Sequence, residues 1–230
     1  MRLSGPITTT AGLGFRVVSV LAALWPATLM HASDCASQAP RVVERNTLIS
    51  TRDPVARIEV DGSLKYVGAF RFELKGIACV ERHIFAAVHD RRIKRLFIVQ
   101  LEAILESSSE IYRWTMRDAI RLGDGEYRHN VWAFDTAASI REEPEAETAK
   151  TDAFLKGKGL ELEPELVMSR FARVVGADRK HELIFFYMEP LAGSHLRVAE
   201  FPDGVPRTPA QRELARQVSE RSLRAFRVVP

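Results

Sequence analysis

Cysteine is scarce in this sequence, which contains only Cys35 and Cys79. Two cysteines this far apart lack the close spacing of a cysteine-based metal site, and we expect no bound metal and no other cofactor. The Gly-rich phosphate loop, the nucleophile elbow and the His-Glu-x-x-His helix are also missing. These absences exclude the enzyme classes that such motifs identify, and the residues match no family pattern.

Beyond residue 33, the sequence also lacks an excess of positive charge. The chain holds 33 basic and 30 acidic residues, for a formal net charge of +3. Residues 1–33 contain two of the basic residues, Arg2 and Arg16, and no acidic one, which leaves 31 basic and 30 acidic residues in the remainder. Such a nearly neutral domain lacks the basic surface that binds a nucleic-acid backbone, so we expect no nucleic-acid partner.

The apolar run at residues 17–30 falls short of the roughly 20 residues that a comfortable membrane-spanning helix needs. A positively charged stretch precedes this run and small residues follow it. That order is typical of a bacterial-type secretory signal peptide, here residues 1–33, with cleavage at about residues 30–36. We therefore expect an exported protein, periplasmic or secreted, with one domain at residues 34–230. An uncleaved signal would instead tether that domain to a membrane.

Export gives the two cysteines a meaning. An oxidising compartment permits a disulfide between Cys35 and Cys79, and closing a loop of this length stabilises a chain by about 4 kcal/mol on entropic grounds. A signal cut after Ala36 would remove Cys35 and leave Cys79 as a buried free thiol. Both alternatives stay open in the sequence. A catalytic Cys79 is disfavoured because no motif supplies a histidine partner.

The most regular pattern lies between Leu64 and Leu105, where three strand-like runs follow one another. Apolar and polar residues alternate in residues 64–74, as in a strand with one buried face. Residues 79–89 form the second run, and residues 95–105 form a third that is apolar on both faces, as in a central strand. We predict a β-meander at the centre of a mostly antiparallel sheet.

A register for the second and third strands follows from their charges. If the charged stretch 90–94 is the hairpin loop, His89 faces Arg95 and Arg82 faces Glu102. Opposite charges stabilise a cross-strand pair, whereas an unpaired buried arginine is costly. We therefore expect Arg82 to pair with Glu102.

Turn signals predict further strands on either side of the meander. Asp61-Gly62 is a two-residue hairpin signal that would join residues 57–60 to the first strand of the meander. Strands are also predicted at residues 111–116 and 126–134. Residues 165–175 fit either a helix or a strand, and we favour a strand that forms a hairpin with residues 180–189, because residues 176–179 are turn-like.

Two helices and a last strand complete the pattern. The acidic cluster 142–147 predicts a helix start with Pro144 in the first position, and Gly157 predicts its end. Thr208 begins a capping-box pattern for a second helix, and residues 223–229 alternate weakly as a strand. The fold class is therefore α+β: a single domain on a mostly antiparallel sheet with two or three helices packed on it.

Few residues suggest catalysis. Glu81 and His83 share one strand face, where they could act as an orienting acid and a base, and His129 is a second candidate base. The competing interpretation places His83 in the core and gives neither histidine a chemical role.

Ligand-binding candidates are equally few. Glu102 and Gln100 could supply a polar end to a pocket, although a pair with Arg82 explains Glu102 as well. Tyr127 and Trp132 could bind a flat ligand, although ordinary sheet packing accounts for both aromatic residues.

The leading functional hypothesis is an exported, non-enzymatic domain that binds a small molecule or a protein. Antiparallel sheets covered by helices readily form concave apolar surfaces of the kind that ligands occupy. The first alternative is a small exported hydrolase that uses a histidine–carboxylate pair. The second is a structural module tethered to a membrane by the retained signal.

Overall fold

Eleven strands and three helices lie in the described part of the chain, which the computed structural model gives as Cys35, residues 41–114, Met116, residues 119–201 and residues 208–229. The strands are β1 (Val42–Glu44), β2 (Thr47–Ser50), β3 (Ala56–Val60), β4 (Lys65–Leu74), β5 (Ala78–His89), β6 (Arg92–Ile104), β7 (Ala119–Leu122), β8 (Gly125–Asp135), β9 (Glu165–Val175), β10 (His181–Pro190) and β11 (Phe226–Val229). The helices are α1 (Thr136–Glu142), α2 (Glu147–Gly157) and α3 (Pro209–Ala225), with one 3-10 turn at Val198–Glu200.

The strands form two antiparallel sheets. The larger sheet has seven strands in the order β4-β5-β6-β10-β9-β8-β7, and the smaller has four in the order β1-β2-β3-β11. Three helices accompany them, so the predicted α+β domain on a mostly antiparallel sheet is confirmed. The smaller sheet was not predicted. The signal-peptide prediction lies outside the described residues, and among the described ones no helix is both long and apolar enough to cross a membrane.

The turn between β5 and β6 is shorter than predicted. It consists of Asp90 and Arg91 alone, with positive φ angles of 50° and 65°, as in a type I′ hairpin. His89 therefore faces Arg92 rather than Arg95, and the register shifts once more at a bulge beyond Ala87. As a result Arg82 lies opposite Gln100, and the predicted cross-strand pair with Glu102 is wrong.

Residues 165–175 form strand β9 and pair with β10, as favoured over a helix. Other local predictions were wrong. The Asp61-Gly62 turn does not join two paired strands, because β3 pairs with β2 and β11 while β4 pairs with β5. The described residues of the predicted strand 111–116 form no strand. The helix predicted to start in the acidic cluster begins at Glu147 and so excludes Pro144, and α1 before it was missed.

Alternate residues of the larger sheet point into two separate cores. One core lies between the two sheets and α3, and its largest buried side chains include Phe85, Phe97, Phe171, Phe185 and Phe226. The other lies beneath α2 and the segment after it, and its buried members include Ile84, Ile98, Leu155, Met168 and Phe186. Residues adjacent along a strand therefore belong to different cores, as strand geometry requires.

Helix α2 is held against the edge of the larger sheet at a glycine. Gly68 follows a β-bulge in β4 and has a φ of 143°, a value that other residues rarely adopt. A Cβ atom at this position would lie 3.1 Å from the ring of Phe154 in α2. That ring stacks on Phe70 of β4 at 4.6 Å between centroids. The close approach fixes α2 above the sheet, where it roofs the cavity described below.

A disulfide joins Cys35 to Cys79. The sulfur atoms are 2.08 Å apart, and the bond links residues separated by 44 positions. It attaches the chain before β1 to strand β5 of the larger sheet. Of the two alternatives, a bridge and a free thiol, the structure therefore has the bridge.

Candidate functional site

A cavity of about 410 Å³ lies between the larger sheet and helices α1 and α2. We call it the helix-side cavity. Its floor consists of even-numbered residues of β6, β8, β9 and β10, which strand alternation directs to this face. Its apolar lining is Leu96, Ile98, Trp132, Phe134, Ala146, Leu162, Met168, Ile184, Phe186 and Met188, and its polar lining is Arg82, Ser139, Glu142, Glu143, Glu147, Thr148, Thr151 and Arg170.

At one side of this cavity, every nitrogen of the Arg82 guanidinium has a hydrogen-bond or ion-pair partner. Its side chain is buried, and its Nε donates a hydrogen bond to Gln100. Its Nη1 donates to the Thr151 hydroxyl at 2.5 Å and to the backbone oxygen of Glu147 at 3.0 Å, and its Nη2 lies 3.7 Å from the Glu147 carboxylate. Burial lowers the pKa of Arg82 to about 10, so the guanidinium is charged at neutral pH. Arg82 thus ties α2 to the sheet.

Gln100 connects Arg82 to Glu102. The Gln100 side chain accepts from Arg82 and donates through its Nε2 to Glu102, which also accepts from the Tyr112 hydroxyl at 2.7 Å. The two charged residues expected to pair directly are therefore bridged by an amide. Burial raises the pKa of Glu102, and the nearby carboxylate of Glu147 raises it further.

Glu182 lies directly opposite Glu102 on the neighbouring strand β10. Both side chains are buried, at 6% and 5% exposure. Burial and the charge of Glu102 raise the pKa of Glu182 to about 8, so its carboxyl group is mainly protonated at pH 7. The indole nitrogen of Trp114 is near this carboxyl group without meeting hydrogen-bond geometry.

Arg170 of β9 is the second cation of the helix-side cavity, and it is engaged very differently from Arg82. Its guanidinium lies over the ring of Trp132, 5.8 Å from the centroid. Its Nε is buried and has no hydrogen-bond partner among the described residues, and Arg170 forms no ion pair with any of them. Asn130, directly opposite on β8, also has a buried Oδ1 without a partner in that part of the chain. Burial lowers the pKa of Arg170.

A second opening, of about 660 Å³, lies beside the disulfide at the end of β6. We call it the disulfide-side cleft. Its lining is largely charged and nearly balanced in sign, with Arg41, Arg52, Arg71 and Lys180 against Asp53, Glu81, Glu102, Glu106 and Asp178. Small-molecule sites are mostly apolar with a few placed polar groups, a description that fits the helix-side cavity better.

Glu81 and His83 do come together, as the sequence suggested, in an ion cluster on the opposite face of the sheet from the helix-side cavity. Glu81 Oε1 accepts from His83 Nε2 and from the Arg41 backbone N–H, both at 2.7 Å, and its Oε2 accepts from Arg71 Nε at 3.0 Å. Burial alone would raise the pKa of Glu81, but these hydrogen bonds hold it well below its usual range.

His83 is wholly buried, at 0% exposure. With the proton on Nε2 it donates to Glu81, which leaves Nδ1 to accept from the Tyr66 hydroxyl at 3.3 Å. Both ring nitrogens are thereby used inside the protein. This arrangement favours the packing interpretation of His83 over the catalytic one.

His129 of β8 points toward α3, and its ring stacks on Phe171 of β9 at 4.6 Å between ring centroids. The hydroxyls of Ser219 and Ser222 donate to backbone oxygens, so Ser222 accepts from Ser169 at 3.1 Å. Ser169 must then accept at 2.9 Å from His129 Nε2, which therefore carries the proton. His129 is a donor toward Ser169 and not its base. Burial lowers the pKa of His129 and favours this neutral form.

The two aromatic candidates, Tyr127 and Trp132, lie in different parts of the structure. Trp132 lines the helix-side cavity, whereas Tyr127 is buried in the core between the sheets, 5.3 Å from Phe185 between ring centroids. Gln100 and Glu102 have the same parity as the cavity floor but do not line it, and Glu102 borders the disulfide-side cleft instead. Of the candidates from the sequence, the helix-side cavity therefore contains Trp132.

Sequence reasoning missed Arg170 and the wall from β10. The signal for Arg170 was present, because it is a lone cation among the even-numbered residues Leu166, Met168, Ala172 and Val174. The strand favoured for residues 165–175 places Arg170 on the same face as these apolar residues. Among the described residues, no three histidines, cysteines or carboxylates are grouped so that they could hold a metal ion.

No protein family, curated protein or solved structure matches this chain.

Proposed function

We propose that this protein is an exported, non-enzymatic domain that binds a small amphipathic molecule in the helix-side cavity. One observation carries the proposal: a cavity of about 410 Å³ has a continuous apolar floor from four strands and charged groups on its border. Ligand pockets of about 300–1,000 Å³ combine apolar walls, which supply affinity, with polar groups that orient the ligand.

The side chains of the floor suit an apolar ligand body. Met168 and Met188 are unbranched and adjust to irregular shapes, and Trp132 and Phe186 offer flat apolar surfaces. The roof is made by short helices α1 and α2 rather than by further strands. A ligand can therefore enter without any opening of the sheet.

The disulfide supports the exported part of the proposal. Disulfides persist in oxidising compartments and are rare in the reducing cytosol. The Cys35–Cys79 bridge joins two different segments of the domain, so its loss would affect the fold itself.

The hydrolase alternative stays a prediction with less support. His83 is wholly buried, and His129 donates to Ser169 instead of accepting its proton. A general base needs a free acceptor within reach of a substrate proton. Neither histidine lines the helix-side cavity.

Binding of a neutral fluorophore tests the proposed function. N-phenyl-naphthylamine becomes fluorescent in apolar surroundings, and we expect one molecule to bind per protein chain, as counted by native mass spectrometry. The Ile98→Phe variant places extra volume in the floor of the cavity and should weaken binding by about tenfold or more.

Ile77→Phe is the matched control, because Ile77 is 38% exposed and lies outside the cavity. This variant should bind the fluorophore as the parent does. An absence of binding to the parent, or equal binding to the Ile98→Phe variant in its folded state, would contradict the proposal.

A further inference from the structure

The guanidinium of Arg170 lies at the helix-side cavity without an ion-pair partner among the described residues. Its Nε is buried without a hydrogen-bond partner, and no carboxylate among the described residues forms an ion pair with it. Buried cations in proteins are normally paired, because an isolated charge removed from water is strongly destabilised. A group that arrives from outside the described chain would supply what Arg170 lacks.

The neighbouring charges do not fill this need. Glu147 compensates Arg82 at 3.7 Å, and Glu102 accepts from Gln100 and Tyr112. Glu182, the remaining carboxyl group near Arg170, has a pKa of about 8 and is mainly neutral at pH 7. These carboxyl groups attract Arg170 from a distance, but none in the described part of the chain forms an ion pair with it.

Arg170 is also placed to receive a ligand. It borders the cavity beside Met168 and Phe186, and the ring of Trp132 supports its guanidinium plane at 5.8 Å. Stacking on an aromatic ring limits the motion of an arginine while leaving its N–H groups open to an acceptor. An apolar floor next to a fixed, open cation matches a molecule with an apolar body and an anionic end.

We propose that Arg170 is the head-group site of the helix-side cavity and that the ligand is a small amphiphile with an anionic, carboxylate-type head group. The inference rests on the proposed ligand-binding function of this cavity and specifies the chemistry of its ligand. Glu142 and Glu143 at the border oppose an anion, but both are exposed and screened by solvent and salt. Inside the cavity, the lower dielectric makes the contact with Arg170 the stronger of the two effects.

Competition between two matched compounds tests the head-group site. Decanoate and decanol share an apolar chain and differ in the charge of the head group. Each is titrated against the bound N-phenyl-naphthylamine. We expect decanoate to displace it at a concentration about tenfold lower than decanol, because charge-assisted hydrogen bonds to arginine are strong.

Three variants assign the preference to a residue. Arg170→Met keeps the apolar stem and should abolish the preference for decanoate while decanol binds as before. Arg170→Lys keeps the charge without the planar fork and should retain part of it. Arg121→Met removes an exposed arginine of β7 and should behave as the parent. Circular dichroism establishes that each variant is folded.

The outcomes separate the two proposals. If the fluorophore binds and both compounds displace it equally, the cavity binds ligands but the anionic head group is wrong. If the Arg170→Met variant keeps the preference for decanoate, the assignment to Arg170 is wrong. If the parent protein does not bind the fluorophore at all, the proposed function itself fails.

Discussion

Replacing Glu182 by glutamine should change how the stability of this protein depends on pH. Glu182 is buried opposite Glu102, and its pKa is raised from the ordinary value of 4.5 to about 8. The folded state therefore holds this proton more tightly than the unfolded state does. The resulting stabilisation is complete below pH 4.5 and is lost as the pH rises through about 8. Glutamine has nearly the shape of the protonated glutamate side chain, and it does not titrate in this pH range.

The size of the effect follows from the two pKa values. Each tenfold change in proton affinity corresponds to about 1.4 kcal/mol, so the difference between 4.5 and about 8 amounts to on the order of 5 kcal/mol. Between these pH values the unfolding free energy of the parent should fall by up to about 1.4 kcal/mol per pH unit relative to the Glu182→Gln variant. Such a loss is large for a domain whose total stability is typically about 5–15 kcal/mol.

Urea unfolding at a series of pH values from 5 to 9 measures this difference. The two proteins should be similar in stability at the acidic end, and the variant should be the more stable one at the alkaline end. Glu110→Gln, which removes an exposed carboxylate, should give a curve parallel to that of the parent. If the Glu182→Gln variant followed the parent at every pH, the reasoning would be refuted, because Glu182 of the parent would then have the same pKa in the folded and unfolded states.

Two further predictions concern the other side of the sheet. Glu81→Gln removes the carboxylate that Arg41 and Arg71 share, which should cost about 3–5 kcal/mol in urea unfolding at pH 7. Because the folded-state pKa of Glu81 is lowered, this cost should shrink as the pH falls below 4.5, and a constant cost would contradict the assignment. Cys79→Ser opens a disulfide that spans 44 positions and should lower the unfolding free energy by about 4 kcal/mol. The reduced parent should match this variant, and an unchanged urea midpoint in both would show that the bridge does not constrain the unfolded chain.

Local patterns predicted much of the larger sheet. Alternation in β4 and β5 and the apolar run of β6 depend on backbone geometry within each strand, which the sequence displays directly. The pairing register was harder, because Asp90 and Arg91 adopt positive φ angles without being the glycine or asparagine that signals such a turn. Gln100 and Glu102 have the parity of the cavity face, but neither lines the helix-side cavity, because parity fixes the face of a strand and not the position along it.

The smaller sheet and the cavity wall could not be predicted in the same way. Strands β1 and β2 have only three and four residues, too few to show a period. The fourth strand of their sheet is β11, whose Arg227 contacts Glu59 across 168 positions of sequence. Local sequence patterns carry no information about pairing at such a separation. Arg170 was missed although a strand was favoured for its segment, because alternation within one strand does not show which of its two faces borders a cavity.

Strand β11 also determines when the core between the two sheets can form. Phe226 is the first residue of β11, and its ring packs 4.7 Å from Phe97 and 4.8 Å from Phe185 in the centre of the core. A growing chain lacks this ring until residue 226 has been synthesised. Contacts between distant segments form slowly, because the intervening chain must first be brought together. During synthesis, therefore, the sheet surface around Phe97 stays uncovered until β11 has been made, and a chaperone has that interval in which to bind it.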